Sequence, residues 1–153
     1  MPDIERSIVI RSTLDRVWSA IVDSTAFGTW FGAEFDGPFA VGSTTSGRIV
    51  PTRMDAEVAA AQEPHRGAPL TAEVIAIEPK TRFAFRWHPL ADSEVQTTVE
   101  FALAEEGDGV RVTITEDGFA ALPAEQRDAA RDGNDGGWDA QTRLLAAYLE
   151  RAA

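Results

Sequence analysis

The sequence predicts an α+β fold in which helices cover one face of an antiparallel sheet. Three observations predict it. A strand-like segment near the N-terminus passes directly into an amphipathic helix, apolar residues alternate along several segments in the middle of the chain, and the C-terminal part is helical. The chain has 153 residues, the size of one ordinary domain, so we expect residues 1–153 to form a single domain with one core.

The N-terminal part begins with one strand and two short helices. Residues 4–11, IERSIVIR, carry β-branched side chains with Ile8 and Ile10 on one face, which is typical of a half-buried strand. Ser12 or Thr13 then caps a helix over LDRVWSAIV, whose apolar residues recur with helical spacing. A second short helix follows in TAFGTWF, where three aromatic residues lie on one side.

From Glu34 onward the pattern is that of strands joined by turns. EFDGPFAVGS is punctuated by glycine and proline, and SGRIVPTR follows as a strand candidate. Two hairpins come later, LTAEVIAIE with RFAFRWH and EVQTTVEFAL with VRVTITE, and their strands place apolar residues at every second position. With the first strand, the series amounts to about seven strands.

Residues 55–69, DAEVAAAQEPHRGAP, interrupt the series of strands. The segment has acidic and small residues and two prolines, and it shows no strand pattern. We interpret it as a long, mobile hairpin connection that acts as a gate to the interior.

Pro123 opens a terminal helix that is predicted to run to Ala153. One face of this helix is apolar toward its C-terminal end and polar toward its start. Gly136 and Gly137 precede Trp138 on it, and each interior glycine costs a helix about 1 kcal/mol relative to alanine. Two interpretations are open. The glycines let the backbone kink or approach its neighbours closely, or they mark a break with a new helix cap near residues 134–135.

Composition excludes several classes of function. The formal net charge is −11, which excludes nucleic acid as a partner because such binding depends on Lys and Arg. No apolar run is long enough for membrane insertion, and no secretory signal is recognised, so the expected location is the cytoplasm. The absence of cysteine excludes disulfides, thiol nucleophiles, iron–sulfur clusters and cysteine zinc sites.

Candidates for catalysis are few. His65 and His88 are both expected at the surface, so no metal site is predicted, and no nucleotide, flavin or nicotinamide motif suggests a cofactor. Glu116 is the one carboxylate that strand alternation directs toward the concave side of the sheet, where it would be placed to act as a base. The alternative is that it lies in water at the strand end or pairs with Arg127 or Arg131.

The order and spacing of five segments resemble the START-like, or SRPBCC, superfamily, and within it the branch of homologues of the activator of heat shock protein 90 ATPase. The segments are IVIRSTLDRVWSAI, FGTWFG, VIAIEPKTRFAFRW, TITEDGF and the GGW of the last helix. The resemblance covers nearly the whole chain. It implies a helix-grip fold: a seven-stranded antiparallel sheet curved around a long C-terminal helix, two short helices after the first strand, and a cavity for apolar or amphipathic molecules.

From the resemblance and the residues together, we expect a protein that binds a hydrophobic or aromatic small molecule between sheet and helix, without a cofactor. The expected ligand-binding residues are Trp30, Phe39, Phe85, Trp87, Phe101, Ile114, Arg131, Asn134, Trp138, Gln141 and Leu145. Two alternatives stay open. One is a cochaperone-like module with a chaperone or other protein as partner. The other is a cofactor-free lyase, cyclase or hydrolase that acts on an aromatic or polyketide-like substrate through Glu116 or another group of the pocket.

Overall fold

The computed structural model describes residues 2–90 and 93–151. Its strands are β1 (Ile4–Ile10), β2 (Ala33–Phe35), β3 (Thr44–Ile49), β4 (Pro69–Glu78), β5 (Arg82–Trp87), β6 (Thr97–Glu106) and β7 (Gly109–Asp117). Its helices are α1 (Leu14–Val22), α2 (Ser24–Phe31), α3 (Ala56–Gln62) and α4 (Ala124–Glu150), with short 3-10 turns at Glu63–His65 and Phe119–Ala121.

The seven strands form one antiparallel sheet in the order β1-β7-β6-β5-β4-β3-β2. The sheet curves around α4, and a bulge between Val74 and Ala76 shifts the register of β4 against β5. The α+β class, the strand number and the grip on the terminal helix are therefore confirmed. The alternation predicted for β7 is confirmed as well, since Val110, Val112 and Ile114 are all buried.

The two helices after β1 form because each has a side-chain cap. Of the two cap candidates for α1, Thr13 is the one that acts, and its Oγ1 accepts a hydrogen bond from Arg16 N at 3.2 Å. Asp23 caps α2 by accepting from the amides of residues 25 and 26. Gly32 ends α2 in a left-handed conformation with φ +101°, which a residue with a side chain rarely adopts.

Residues 55–69 connect the paired strands β3 and β4, as the predicted hairpin connection requires, but the prediction missed the helix α3, which occupies the first half of the segment. Asp55 Oδ1 caps this helix by accepting from Val58 N at 2.9 Å, and AEVAAAQ is rich in good helix formers. Gln62 then anchors the helix end. Its Nε2 donates to Phe31 O at 2.9 Å and its Oε1 accepts from Thr52 N at 2.8 Å.

The terminal helix α4 is continuous over 27 residues, so the predicted break was wrong. The predicted close approach was wrong too, because a Cβ added at Gly133, Gly136 or Gly137 would have no atom from elsewhere in the chain within 4 Å. Burial of one face is what holds the helix despite its glycines. Its predicted extension to Ala153 lies outside the described residues.

Aromatic side chains fill the concave side of the sheet next to α2. Phe27 lies at their centre, with its ring centroid 4.7 Å from that of Trp30 and 5.9 Å from that of Phe101. Trp30 is fully buried, and its Nε1 donates to Ala20 O at 2.9 Å. The space that remains is a void of about 10 Å³. This end of the molecule is therefore solid core.

At the edge of the sheet, an ion pair connects the strand β1 to α4. Arg6 Nε and Nη2 bind the two carboxylate oxygens of Asp135 at 2.9 and 3.1 Å. Both side chains are more than a third exposed, so the pair contributes little to stability. Its geometric effect is to hold this part of α4 beside β1.

We predict that Gly133→Ala stabilises the protein by about 1 kcal/mol. The position is exposed, lies inside a continuous helix and leaves room for a methyl group. Thermal unfolding followed by circular dichroism should show a midpoint about 3 °C higher. An unchanged or lower midpoint would mean that the helix is not continuous at this position in solution.

Candidate functional site

A cleft opens at one end of the sheet, where the end of β5 faces α3 and α4. Its first part has a volume of about 460 Å³ and is lined by Phe31, Ile49, Leu70, Trp87, Pro89 and Asn134, among others. Its second part, about 670 Å³ between α3 and α4, is lined by Val58, Gln62, Gly136, Gly137 and Gln141, and again by Asn134. The two parts share three lining residues, so they form one continuous space around Asn134.

A smaller pocket of about 80 Å³ forms the base of the cleft. Trp87 and Trp138 stack there with ring centroids 5.6 Å apart, and Phe31 flanks both rings at 6.0 and 6.1 Å. Gly137 borders the same pocket. Because Gly137 has no side chain, the space that a larger residue would occupy stays open. This open space explains the glycine inside α4.

Glu116 lies behind this aromatic wall and is fully buried. Its Oε2 accepts hydrogen bonds from Trp87 Nε1 at 2.8 Å and Thr97 Oγ1 at 2.5 Å. Its Oε1 accepts from Trp138 Nε1 at 2.8 Å and from Asn134 Nδ2 at 3.0 Å, and that amide also reaches Oε2 at 3.2 Å. One carboxylate therefore connects β5, β6, β7 and α4.

All four donors to Glu116 are neutral, and none of the salt bridges among the described residues includes it. The prediction that Glu116 faces the concave side is confirmed, and the alternative of water or an arginine partner was wrong. Arg127 instead donates to backbone oxygens of residues 120 and 122, and Arg131 pairs with Asp132. A buried carboxylate is costly unless hydrogen-bonded, so the four donors are what make its burial possible.

The hydrogen bonds also fix the orientation of two amides at the cleft. The Glu116 carboxylate and the Phe31 carbonyl are acceptors, so the groups that face them must be Asn134 Nδ2 and Gln141 Nε2. Asn134 Oδ1 is thereby directed away from Glu116. Gln141 Oε1 is buried and accepts no hydrogen bond from the described residues, which costs roughly 1–3 kcal/mol.

The structure brings four of the predicted ligand-binding residues together: Trp87, Asn134, Trp138 and Gln141 all border the inner pocket. The others do not border the cleft. Phe39 and Phe85 border only the small void, and Trp30, Phe101, Ile114 and Leu145 are packed in the core. Arg131 is exposed. The cavity therefore lies at a different place from the one expected. Aromatic residues of α2 fill the middle of the space between the sheet and α4, and the cleft lies at one end of that space.

Several residues that line the cleft were not predicted from the sequence. Phe31 is one of the three aromatic residues predicted on one side of the second helix, but it was not among the expected ligand-binding residues, and Ile49 and Leu70 had no distinguishing pattern. The available signal was the glycine pair on α4, since glycine inside a helix marks a place where a side chain is absent. His65 and His88 are exposed as predicted and lie at the cleft rim. Residues 2–90 and 93–151 contain no cluster of histidine and carboxylate groups able to hold a metal ion.

Comparison with known proteins gives a family match. The family described as Activator of Hsp90 ATPase homolog 1-like protein matches residues 11–150. No curated protein matches the chain. Within the described part of the chain, no helix is both long and apolar enough to cross a bilayer.

Solved structures share the fold at low identity. Protein MLL2253 from Mesorhizobium loti has a TM-score of 0.74 at 22% identity, with 98% of each chain covered. The Aha1 dimer from Colwellia psychrerythraea gives 0.71 at 15%, with 96% of this chain and 95% of that chain covered. DynU16, from the dynemicin biosynthetic locus, gives 0.69 at 21%, with 96% of this chain covered, which spans 46% of the length of DynU16.

We predict that Glu116→Gln destabilises the fold by about 2–4 kcal/mol, because the new NH2 group faces buried N–H donors that then lack an acceptor. Urea unfolding measures the effect. Glu105→Gln, on an exposed part of β6, is the matched control and should unfold like the wild type. Equal stability of both variants would show that the carboxylate is not held as described.

Proposed function

The chain belongs to the family of activator of Hsp90 ATPase homolog 1-like proteins, and from this premise we propose that it binds a small apolar or aromatic molecule in the cleft around Asn134. The observation that carries the proposal is the cleft itself. Its two parts, about 460 and 670 Å³, fall in the range of about 300–1,000 Å³ that is usual for ligand sites.

The chemistry of the wall supports an aromatic ligand. Phe31 and Trp87 present ring surfaces to the cleft, and Leu70 and Ile49 add aliphatic surface. Flat rings provide a large contact area with few rotatable bonds, so their ordering on binding costs little. A planar apolar molecule fits this wall better than a flexible polar one.

The hydrogen bonds behind the wall support a site that is already formed before the ligand arrives. Glu116 holds the indole nitrogens of Trp87 and Trp138 at 2.8 Å each, so neither ring rotates freely. Because these rings are fixed, a ligand that contacts them need not order them.

The enzyme hypothesis is not carried into this proposal. The residue named for it was Glu116, whose two oxygens both accept hydrogen bonds from the protein. Glu116 acts on a ligand only through Trp87, Trp138 and Asn134, so we assign it a positioning role.

The proposal is tested with N-phenyl-1-naphthylamine, a neutral probe whose fluorescence rises in apolar sites. We predict that Gly137→Leu, which places a side chain at the inner pocket, weakens binding of this probe at least about tenfold. Gly133→Leu is the matched control on the same helix, away from the cleft, and should bind like the wild type. Both changes should raise helix stability, since leucine is the better helix former.

Two results would overturn the proposal. One is the absence of saturable probe binding by the wild-type protein. The other is equal weakening by the two leucine variants, which would place the probe outside the cleft.

A protein partner is the second candidate, and the family match is the observation that favours it, since the family description names an activator of the Hsp90 ATPase. We propose to measure ATP hydrolysis by purified Hsp90 with and without this protein. Stimulation that survives Gly137→Leu would assign a function separate from the cleft. No stimulation at saturating protein would remove this candidate.

A further inference from the structure

We infer, on the basis of the proposed function, that the cleft selects aromatic ligands that donate a hydrogen bond, such as phenols and aromatic amines, over ligands that carry a carboxylate. The inference rests on which atoms of the two cleft amides remain available, and on the charge behind them.

Asn134 supplies the first acceptor. Its Nδ2 donates to both oxygens of Glu116, so the amide cannot turn over without losing these bonds and placing two acceptors in contact. Oδ1 points the other way, and Asn134 borders all parts of the cleft. No donor among the described residues binds Oδ1. A ligand in the cleft therefore meets an oxygen that accepts.

Gln141 supplies the second acceptor. Its Nε2 is held by Phe31 O at 3.0 Å, and its Oε1 is buried at the wall of the inner pocket without a donor among the described residues. Oε1 is covered in this conformation, so a ligand that binds it must displace the Gln141 amide, and Phe31 O then keeps its hydrogen bond from Gln62. A hydroxyl or amino group that pairs with it removes the penalty of an unpaired buried oxygen.

The side-chain donors that border the inner pocket are all engaged inside the protein. The indole N–H groups of Trp87 and Trp138 are held by Glu116, and Gln62 Nε2 is held by Phe31 O. A ligand that can only accept hydrogen bonds thus finds acceptors facing it at the base of the cleft. This asymmetry distinguishes a phenol from its methyl ether.

The negative charge around the base of the cleft also disfavours anionic ligands. Glu116 lies directly behind Asn134 without a cation paired to it in the described part of the chain, and the whole chain carries a formal charge of −11. Arg143, the arginine that borders the cleft, is exposed at the outer rim and lies 3.8 Å from Asp139. The histidines of the rim are exposed as well. An anionic ligand is therefore repelled at the base.

Three naphthalenes of similar size test the inference: 2-naphthol donates, 2-methoxynaphthalene only accepts, and 2-naphthoate is an anion. Competition against N-phenyl-1-naphthylamine gives their affinities. We expect 2-naphthol to bind about tenfold more tightly than 2-methoxynaphthalene, as one hydrogen bond allows, and 2-naphthoate to bind most weakly.

Gln141→Met tests the acceptor directly. The variant should fold, because Phe31 O keeps its hydrogen bond from Gln62, and a thermal melt checks this. We expect it to lose most of the preference for 2-naphthol while it retains 2-methoxynaphthalene. Gln126→Met, at an exposed position of the same helix, is the control and should keep the preference.

The possible failures are distinguishable. Equal affinity of wild-type protein for 2-naphthol and 2-methoxynaphthalene, with both blocked by Gly137→Leu, would overturn the inference and leave the proposed function intact. Tightest binding of 2-naphthoate would also overturn it. If neither the fluorescent probe nor any naphthalene binds, the proposed function fails and the inference fails with it.

Discussion

The arrangement of the site depends on one buried carboxylate that is held by four neutral donors. Glu116 is fully buried, and its charge is stabilised by two indoles, a hydroxyl and an amide instead of a cation. Bonds of this kind are stronger than those between neutral groups, and they are directional. The carboxylate therefore fixes where the sheet meets α4, how the tryptophan rings stand and which side of Asn134 faces the cleft.

The space between the sheet and α4 has a tightly packed part and an open part, and the size of the side chains determines where one ends and the other begins. Next to α2, six aromatic rings pack around Phe27, four of them edge to face, and leave almost no space. Toward the other end, α4 contributes Gly136 and Gly137, and α3 stands away from the sheet. The same helix thus closes the core with Trp138 and leaves the cleft open one residue earlier.

The alternation of apolar residues was enough to predict the sheet and the direction of Glu116, because successive side chains of a strand point to opposite faces whatever they pack against. It could not separate core from cleft. Phe85 and Trp87 lie two residues apart on one face of β5, yet the first is in the core and the second borders the cleft. The difference arises because Phe27 of α2, distant in the chain, packs on Phe85, whereas open space remains beside Trp87. The helix α3 was not predicted either, because the prolines of this segment suggested a loop and outweighed the helix cap at Asp55.

Stability and binding are separable in this molecule at some positions and not at others. Glu116 serves stability and the proposed binding alike, because the bonds that hold the sheet to α4 also orient Asn134 and Trp138, which border the inner pocket. Gly137 and Gln141 contribute little to the core: a side chain at the first meets open space, and the carbonyl that the second binds has another donor in Gln62. Under the proposed function, ligand selectivity can therefore change at these two helix positions while the carboxylate that holds the fold stays in place.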